Sequence, residues 1–571
     1  MENFEMNQEI QKKKRIISSA MKDEKADLVL KGGKYLNLFT GELLKGDIAI
    51  TEGIISGIGS FEGLKEIDAR GRIIIPGFID SHIHLESSLV TPYQFAKAVI
   101  PHGTTAVITD PHEIANVMGT DGIDYMLQAS EGLPLDIFFV IPSCVPATSF
   151  DENHAKLTYK SIEPFFSNPR VLGLGELMDF VGLTEGKTEI LEKIVLAEKG
   201  QKIIDGHAPD LSGKQLQAYV ASGIYSDHEC STYDNALEKL RLGQWIMIRE
   251  GTAAKNLEAL IPLMVPQFSS RLLFATDDKH PNDILNFGHI DLIVRNAIKR
   301  GVDPMIAIKI ATLNAAQYFG LKNTGAVAPG YRADLLMIES FEGLDIETVI
   351  KNGKVVYEHM KTISIGKPVV SEQLVERASS TIRITEPQIK DFQNNSPLGL
   401  IGLVKDQIIT KNLGKATMID LPRDILKVAI VERHHATGHI GLGFIKGYGL
   451  QTGAVATSIA HDAHNIIVVG TNEKDMVAAV KEIRRIKGGM TIVTNGKAVA
   501  SLALNIAGLM STLSLDQVND KLEDLKGRAH RLGVSYDIDP FMTLSFISLS
   551  VIPEVRLLTK GVFDVLTQKY I

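Results

Sequence analysis

The chain has 571 residues, more than one ordinary domain holds, so about two to four domains are expected. Hydrophobic residues make up 44% and charged ones 22%, a core-forming balance, and the formal charge of −8 leaves no electrostatic footprint for nucleic acid. Two cysteines, Cys144 and Cys230, exclude a disulfide framework and fit a reducing compartment.

The first segment, MENFEMNQEIQKKKRIISSAMKDEKADL, has no apolar core of signal-peptide length. No uninterrupted apolar run reaches the ~18 residues of a membrane helix. A cytoplasmic location is expected, with neither membrane nor nucleic acid as partner. Lys12-Lys13-Lys14-Arg15 is the densest basic cluster and reads as a solvated terminal segment.

Residues 27–75 contain short apolar stretches punctuated by glycine (DLVLKGG, GDIAITEGIISGIG, IDARGRIII), the rhythm of small antiparallel strands. The same rhythm returns in TGAVAPGYRADLLMIES and TVIKNGKVVYE. The expectation is one small β domain from residues 1–75 with 325–380, everything between being inserted.

Residues 76–324 read differently. Eight short apolar runs alternate with longer segments able to carry helices: IIIPGFIDSHIH, TTAVITDPHE, DIFFVIPSCVP, VLGLGELMDF, KIIDGHAP, GIYSDHE, QWIMIREG and RLLFATDD. Buried parallel strands alternating with helices indicate an α/β fold, and eight units suit a (β/α)8 TIM-like barrel. An open doubly wound sheet is the alternative, although no run carries a glycine-rich dinucleotide fingerprint. From residue 385 to 571, strand-like KVAIVE, AVATSIA, NIIVVG and MTIVTNG mix with the helical EKDMVAAVKEIRRIK and SLDQVNDKLEDLKGRAHRLG, a C-terminal α+β domain.

In a barrel, the C-terminal strand ends converge on one face, where catalytic groups sit. His82 and His84 end the first run, and a period of two puts both on one side of a strand. Glu176 ends the fourth run, His207 the fifth, His228 the sixth and Asp277 the eighth. Four imidazoles and two carboxylates exceed the needs of one metal and suit two adjacent divalent cations bridged by a carboxylate and a hydroxide. A nitrogen and oxygen donor set points to Mn, Fe or Zn without choosing among them. A single histidine at a strand end is ordinarily a satisfied polar residue, but six such residues on five strand ends are not explained that way.

PGFIDSHIHLE, the flanking split β segments and GYRADLLMI resemble the amidohydrolase superfamily of metal-dependent hydrolases over residues 27–380. The resemblance implies a (β/α)8 barrel, a split β-sandwich and hydrolysis at carbon bonded to nitrogen, oxygen or phosphorus. Many binuclear members bridge their metals with a carboxylated lysine at the fourth strand, where this chain has Glu176. With HLESS, TDPHEIANVMG, HHATGHIGLGF and SIAHDAHNIIVVGTN, that glutamate makes the chain similar to the bacterial adenine deaminases over nearly its whole length.

That resemblance implies deamination of adenine to hypoxanthine and ammonia, a small purine base as partner, and a homo-oligomer. Asp277 is then expected to pass a proton from the attacking hydroxide to the leaving amine, although it could be a ligand only. Asp110, His112 and Glu113, in TDPHEIANV, are candidates to bind the purine or move protons, against a turn at Asp110-Pro111 and a cap by Glu113. Ser87 and Ser88 are further substrate-binding candidates, set against helix capping. Asp80 is a candidate partner behind the histidines, and Glu229 and Asp278 are alternative proton carriers. His461 and His464 are expected to reach the barrel mouth and enclose the substrate, while a separate metal site among His434, His435, His439, His461, Asp462 and His464 is the other reading. A deaminase of another aminated purine or pteridine, a cyclic-amide hydrolase and a degenerate non-catalytic scaffold stand as alternative functions.

Overall fold

A computed structural model describes residues 2–363, 365–405, 407 and 409–571. Eight parallel strands follow one another as β1 (Phe78–Ile83), β2 (Thr104–Thr109), β3 (Asp136–Ile141), β4 (Val171–Leu177), β5 (Ile203–Gly206), β6 (Ser226–Asp227), β7 (Trp245–Arg249) and β8 (Leu272–Ala275). The eight apolar runs are these eight strands. Backbone pairing is continuous from β1 to β5 and from β6 to β8. Two seams close the ring. Asp277 N donates to His82 O (2.9 Å) and His84 N to Asp277 O (3.1 Å), joining β8 to β1, while Gly206 N donates to the Ser226 hydroxyl (3.1 Å). This closure excludes the open sheet.

Side-chain alternation decides what faces the barrel axis. Ala106 and Ile108, Met247, and Leu273 and Ala275 form one interior cluster, whereas Val107, Ile248 and Phe274 join the layer under the helices. Continuing the inward set by two residues gives Asp110, Arg249 and Asp277. The period that builds the core therefore also aims charged groups at the barrel mouth.

Strands from both ends of the barrel segment share one sheet: Ile73–Pro76 pairs antiparallel with Leu335–Ile338 and parallel with Lys34–Asn37. A four-stranded sheet of Ile54–Gly59, Asp47–Thr51, Ala26–Lys31 and Gly63–Asp68 packs on it through Leu28, Leu30, Ile48, Ile74 and Leu335. Lys351, buried, bridges Asp136 at the start of β3 (2.7 Å) and Asp334 (2.8 Å), tying this unit to the barrel. The N-terminal helix Glu2–Met21 lies against it, with Ser19 Oγ 3.0 Å from Ser56 Oγ. Arg15 is not simply solvated, because it pairs with Asp27 (2.7 Å), Glu24 (3.3 Å) and Glu52.

The C-terminal region forms an eight-stranded sheet. Ala429, Val431, Ile466 and Val468 on one face bury Met476, Val480 and Ile483 of the helix Glu473–Arg485, and the alternate residues Val428, Ile430 and Ile467 face the other way into the main core. Each fully buried aliphatic side chain contributes roughly 1.5–3 kcal/mol as an upper estimate. The helix starts where the Asn472 side chain accepts from Asp475 N (2.8 Å) and ends with Arg484 and Arg485 beside its carbonyl terminus. This region joins the barrel at Ser511 N to Leu89 O (2.8 Å) and Ser550 Oγ to Asp151 (2.7 Å). Among the described residues, no helix is long and apolar enough to cross a membrane.

Candidate active site

The strand ends bring His82, His84, Glu176, His207, His228 and Asp277 into one buried cluster. Glu176 lies at its centre. Its Oε1 is 3.3 Å from His84 Nε2 and 3.9 Å from His82 Nε2, while its Oε2 is 2.8 Å from His207 Nδ1 and 3.2 Å from His228 Nε2. One carboxylate thus offers a different oxygen to each histidine pair. Asp277 Oδ1 stands 3.2 Å from His84 Nε2 and 3.8 Å from His82 Nε2.

Hydrogen bonding to the far nitrogen tells which lone pair each imidazole presents. His84 Nδ1 lies 3.0 Å from the Asp110 carbonyl, which can only accept, so the proton sits on Nδ1 and Nε2 presents a lone pair. That lone pair faces His82 Nε2 at 3.2 Å and two carboxylates. A buried gathering of lone pairs needs cations, and this donor set of imidazole and carboxylate fits divalent transition metals. Three-residue groups within it, such as His82, His84 and Asp277, have ligand atoms within 4.8 Å of one another.

Around the cluster, backbone and side chains fix the ligating groups. Asp277 adopts φ of 57°, a left-handed conformation held at both ends by the β1–β8 bonds. Arg249 Nη1 lies 2.6 Å from Asp277 Oδ2, and its guanidinium also forks onto Glu229, with Nη2 2.9 Å from Oε2. Burial opposes the Arg249 charge, but Glu229 and Asp277 hold its pKa above the usual value. Arg249 was missed as a functional residue, although it is the charged residue closing the seventh run. Asp80 does not touch the imidazole rings of β1: its carboxylate accepts from Thr276 N (3.1 Å) and lies 3.1 Å from His289 Nε2.

The predicted substrate contacts separate. Asp110 is buried behind Glu176, whose N–H donates to its Oδ2 (3.1 Å), so the backbone of the glutamate claims that oxygen. Gly175 permits this approach, because a Cβ there would lie 2.0 Å from Asp110 Oδ2. The Ser88 hydroxyl donates to Leu85 O (2.6 Å) and is spent in its own turn. The Ser87 hydroxyl pairs with Asp278, linking the turn after β1 to the β8 end. Glu86, just before these two serines, is buried with Oε1 accepting from Ile114 N (3.1 Å), and burial pushes its pKa up to about 7.

His112 and Glu113 open the helix His112–Met118 after β2. His112 Nδ1 is 3.3 Å from Glu176 Oε1. Glu113 makes no cap: Oε1 is 2.7 Å from His461 Nδ1 and Oε2 meets His464 Nε2, so the C-terminal segment does reach the barrel mouth. His464 Nδ1 accepts from Ala460 N (3.2 Å), which places its proton on Nε2, facing Glu113. This is the reverse of the His84 tautomer and leaves no lone pair for a metal at that atom. Burial drives His464 down to about 4, whereas for His461 burial is outweighed by Glu113 and the pKa is pushed up to about 9. His434 and His439 go elsewhere, to Ala463 O (2.7 Å) and Glu152 (2.8 Å).

A cavity of about 420 Å³ opens above the cluster. Its floor holds Glu176, His207, His228 and Asp277, and its far wall comes from the C-terminal region, with His461, Asp462, Phe546, Leu549 and Ile552.

Residues 73–356 match the model of the amidohydrolase family, and residues 405–569 match the adenine deaminase C-terminal domain. Adenine deaminase 2 of Carboxydothermus hydrogenoformans is 45% identical over 97% of this chain and 98% of its own length. The chain belongs to the adenine deaminase family. Within that family, the adenine deaminase of Desulfatibacillum aliphaticivorans is 46% identical over 96% of this chain and 98% of its own length. The adenine deaminase of Clostridium acetobutylicum is 44% identical over 97% and 99%. The family likeness thus covers the barrel and the C-terminal region that supplies His461 and His464 to its mouth.

Proposed function

We propose that this chain deaminates adenine hydrolytically to hypoxanthine and ammonia, with two divalent transition-metal ions (Mn, Fe or Zn) held by His82, His84, Glu176, His207, His228 and Asp277. The observation that carries this reading is Glu176 offering Oε1 to one histidine pair and Oε2 to the other, an arrangement that suits a carboxylate shared by two cations. When bound, such cations acidify water and supply a nucleophile near neutral pH.

The protein's own groups do the rest. Asp277 carries a proton from the attacking water to the departing amine, because its Oδ1 faces the cluster while Arg249 occupies Oδ2. Apolar Phe180, Phe546, Leu549 and Ile552 cover a flat purine and thin the water around it. His112 and Glu113 stand on the side of the cavity where a ring edge would lie. Asp110 acts behind the site by holding the Glu176 backbone, not by touching the purine.

Ammonia release from adenine and adenosine, measured side by side on protein loaded with Mn or Fe, tests the reading. Release from adenine with little from adenosine is expected. Release from adenosine but not adenine would overturn the substrate assignment, and full activity in metal-stripped protein would overturn the cation assignment.

A further inference from the structure

Water addition at C6 of a purine moves an electron pair onto the ring nitrogen N1, which then needs a proton. The cavity wall is poor in groups able to give one. Glu113, Glu176, Glu229, Asp277 and Asp278 present carboxylates, Arg249 is committed to Glu229 and Asp277, and His112 has both ring nitrogens turned to carboxylates, Nδ1 3.3 Å from Glu176 and Nε2 3.5 Å from Glu113. His461 is different. Its Nδ1 donates to Glu113 at 2.7 Å, its ring stacks on Phe546 with centroids 4.7 Å apart, and it lines the cavity. Its Nε2 has no hydrogen-bond partner among the described residues and is not sealed inside the protein, and the ring borders both this cavity and a smaller one.

We propose that His461, supplied by the C-terminal domain, is the catalytic acid that protonates the purine ring, with Glu113 as its positioning residue. This rests on the deaminase reading above. The oxygen–carbon bond forms at C6, the C6–N1 π pair moves to N1, and N1 takes the His461 Nε2 proton. On collapse the C6–amine bond breaks, and ammonia leaves with the proton carried by Asp277. The second proton of the water returns to His461, and N1–H stays in hypoxanthine.

The neighbours of His461 favour its cationic form. Glu113 faces it from the β2 helix, Asp278 from the β8 end and Asp462 from its own segment, all acidic. His464, which the same carboxylate also meets, stays neutral as a donor and does not compete as a cation. Glu86, His280, Lys526 and Asp539 line a second, small cavity that the ring also borders. The cation is the active form, so the contribution of His461 is present below about 9 and is lost as pH rises through that value.

The test compares wild type with His461→Asn and His461→Ala, both metal-loaded, alongside binding of the inert fluorescent base 2-aminopurine. Asparagine can donate a hydrogen bond to a ring nitrogen but cannot transfer the proton. Expected for His461→Asn are a fall in kcat of about 100-fold or more, a KM within about threefold, near-normal 2-aminopurine affinity and loss of the alkaline limb of the pH profile. Unchanged metal content and melting temperature show that the site and fold are intact. Recovery of kcat by asparagine would overturn the acid role, as would a raised KM with kcat intact in His461→Ala. Wild type inert toward adenine would instead defeat the underlying deaminase reading.

Discussion

Arg249 Nη1 sits 2.6 Å from Asp277 Oδ2 and 2.5 Å from Glu229 Oε1, one guanidinium nitrogen between two buried carboxylates from the β8 and β6 ends. It gives Asp277 two unlike oxygens. Oδ2 is neutralised by the arginine, and Oδ1 faces His84 and the cavity floor. Without the guanidinium the two carboxylates would repel and Asp277 would lose its orientation.

On the proposed reading, in which Asp277 carries the proton, Arg249→Met is therefore expected to lower kcat by roughly 100-fold or more, with a smaller change in KM, since Asp277 loses its orientation. Arg249→Lys restores charge but not the fork onto both carboxylates, and recovers only part of the loss. Steady-state kinetics on metal-loaded protein check this. Normal kcat in the methionine variant would contradict the role given to Arg249.

Glu176 carries the case for two cations. Glu176→Ala is expected to reduce retained metal from about two equivalents per chain to one or fewer, read by elemental analysis after gel filtration. Circular dichroism and melting then show whether the barrel persists. Two tightly held equivalents in the alanine variant would refute the bridging position.

Gly175→Ala tests the approach of Asp110 behind that glutamate. The new Cβ would lie 2.0 Å from Asp110 Oδ2 and 2.7 Å from its Cγ, and Asp110 is fully buried. A cost of about 1–3 kcal/mol is expected from the forced shift, with weakened metal retention because the Glu176 N–H loses its acceptor. Chelator competition and chemical denaturation measure the two effects. A variant unchanged in both would mean that the glutamate needs no such support.

Lys351 tests the seam between the small β domain and the barrel. It is buried between Asp136 and Asp334, and Lys351→Met leaves both carboxylates to share Arg332, at a cost toward the lower end of about 3–5 kcal/mol of stability. Kinetics of the fraction still folded are expected to stay near normal. Burial raises the Asp334 pKa, but Lys351 and Arg332 outweigh it and hold the carboxyl below its usual range. Its stabilising contribution is thus complete above the ordinary carboxylate value of about 3.9 and is lost as pH falls through the depressed one. In the methionine variant the acid limb of the stability curve is expected to flatten, and denaturation between acid and neutral pH checks it.

How much was legible follows the physics of each element. The eight strands were readable because a strand buried on both faces needs a nearly continuous apolar run, and such runs stop abruptly at the mouth. The polar residues at those stops, from His82 to Asp277, were readable for the same reason. Arg249 also closes a run, yet its meaning lies in two partners contributed by other strands. For Asp110 the sequence could not show that its Oδ2 accepts from the Glu176 N–H, because that approach from another strand depends on Gly175, remote in the chain.

The sequence alone determined the barrel and the set of imidazoles and carboxylates at its rim, since continuous apolar runs mark strands buried on both faces and polar residues mark where those runs end. Only the tertiary structure decided which nitrogen each imidazole presents. His84 and His464 are the same residue type in equally buried places, yet a carbonyl behind one leaves a lone pair for a cation, and a backbone N–H behind the other makes it a donor to Glu113. A tautomer is set by its hydrogen-bond partner, and that partner arrives only when the chain is folded.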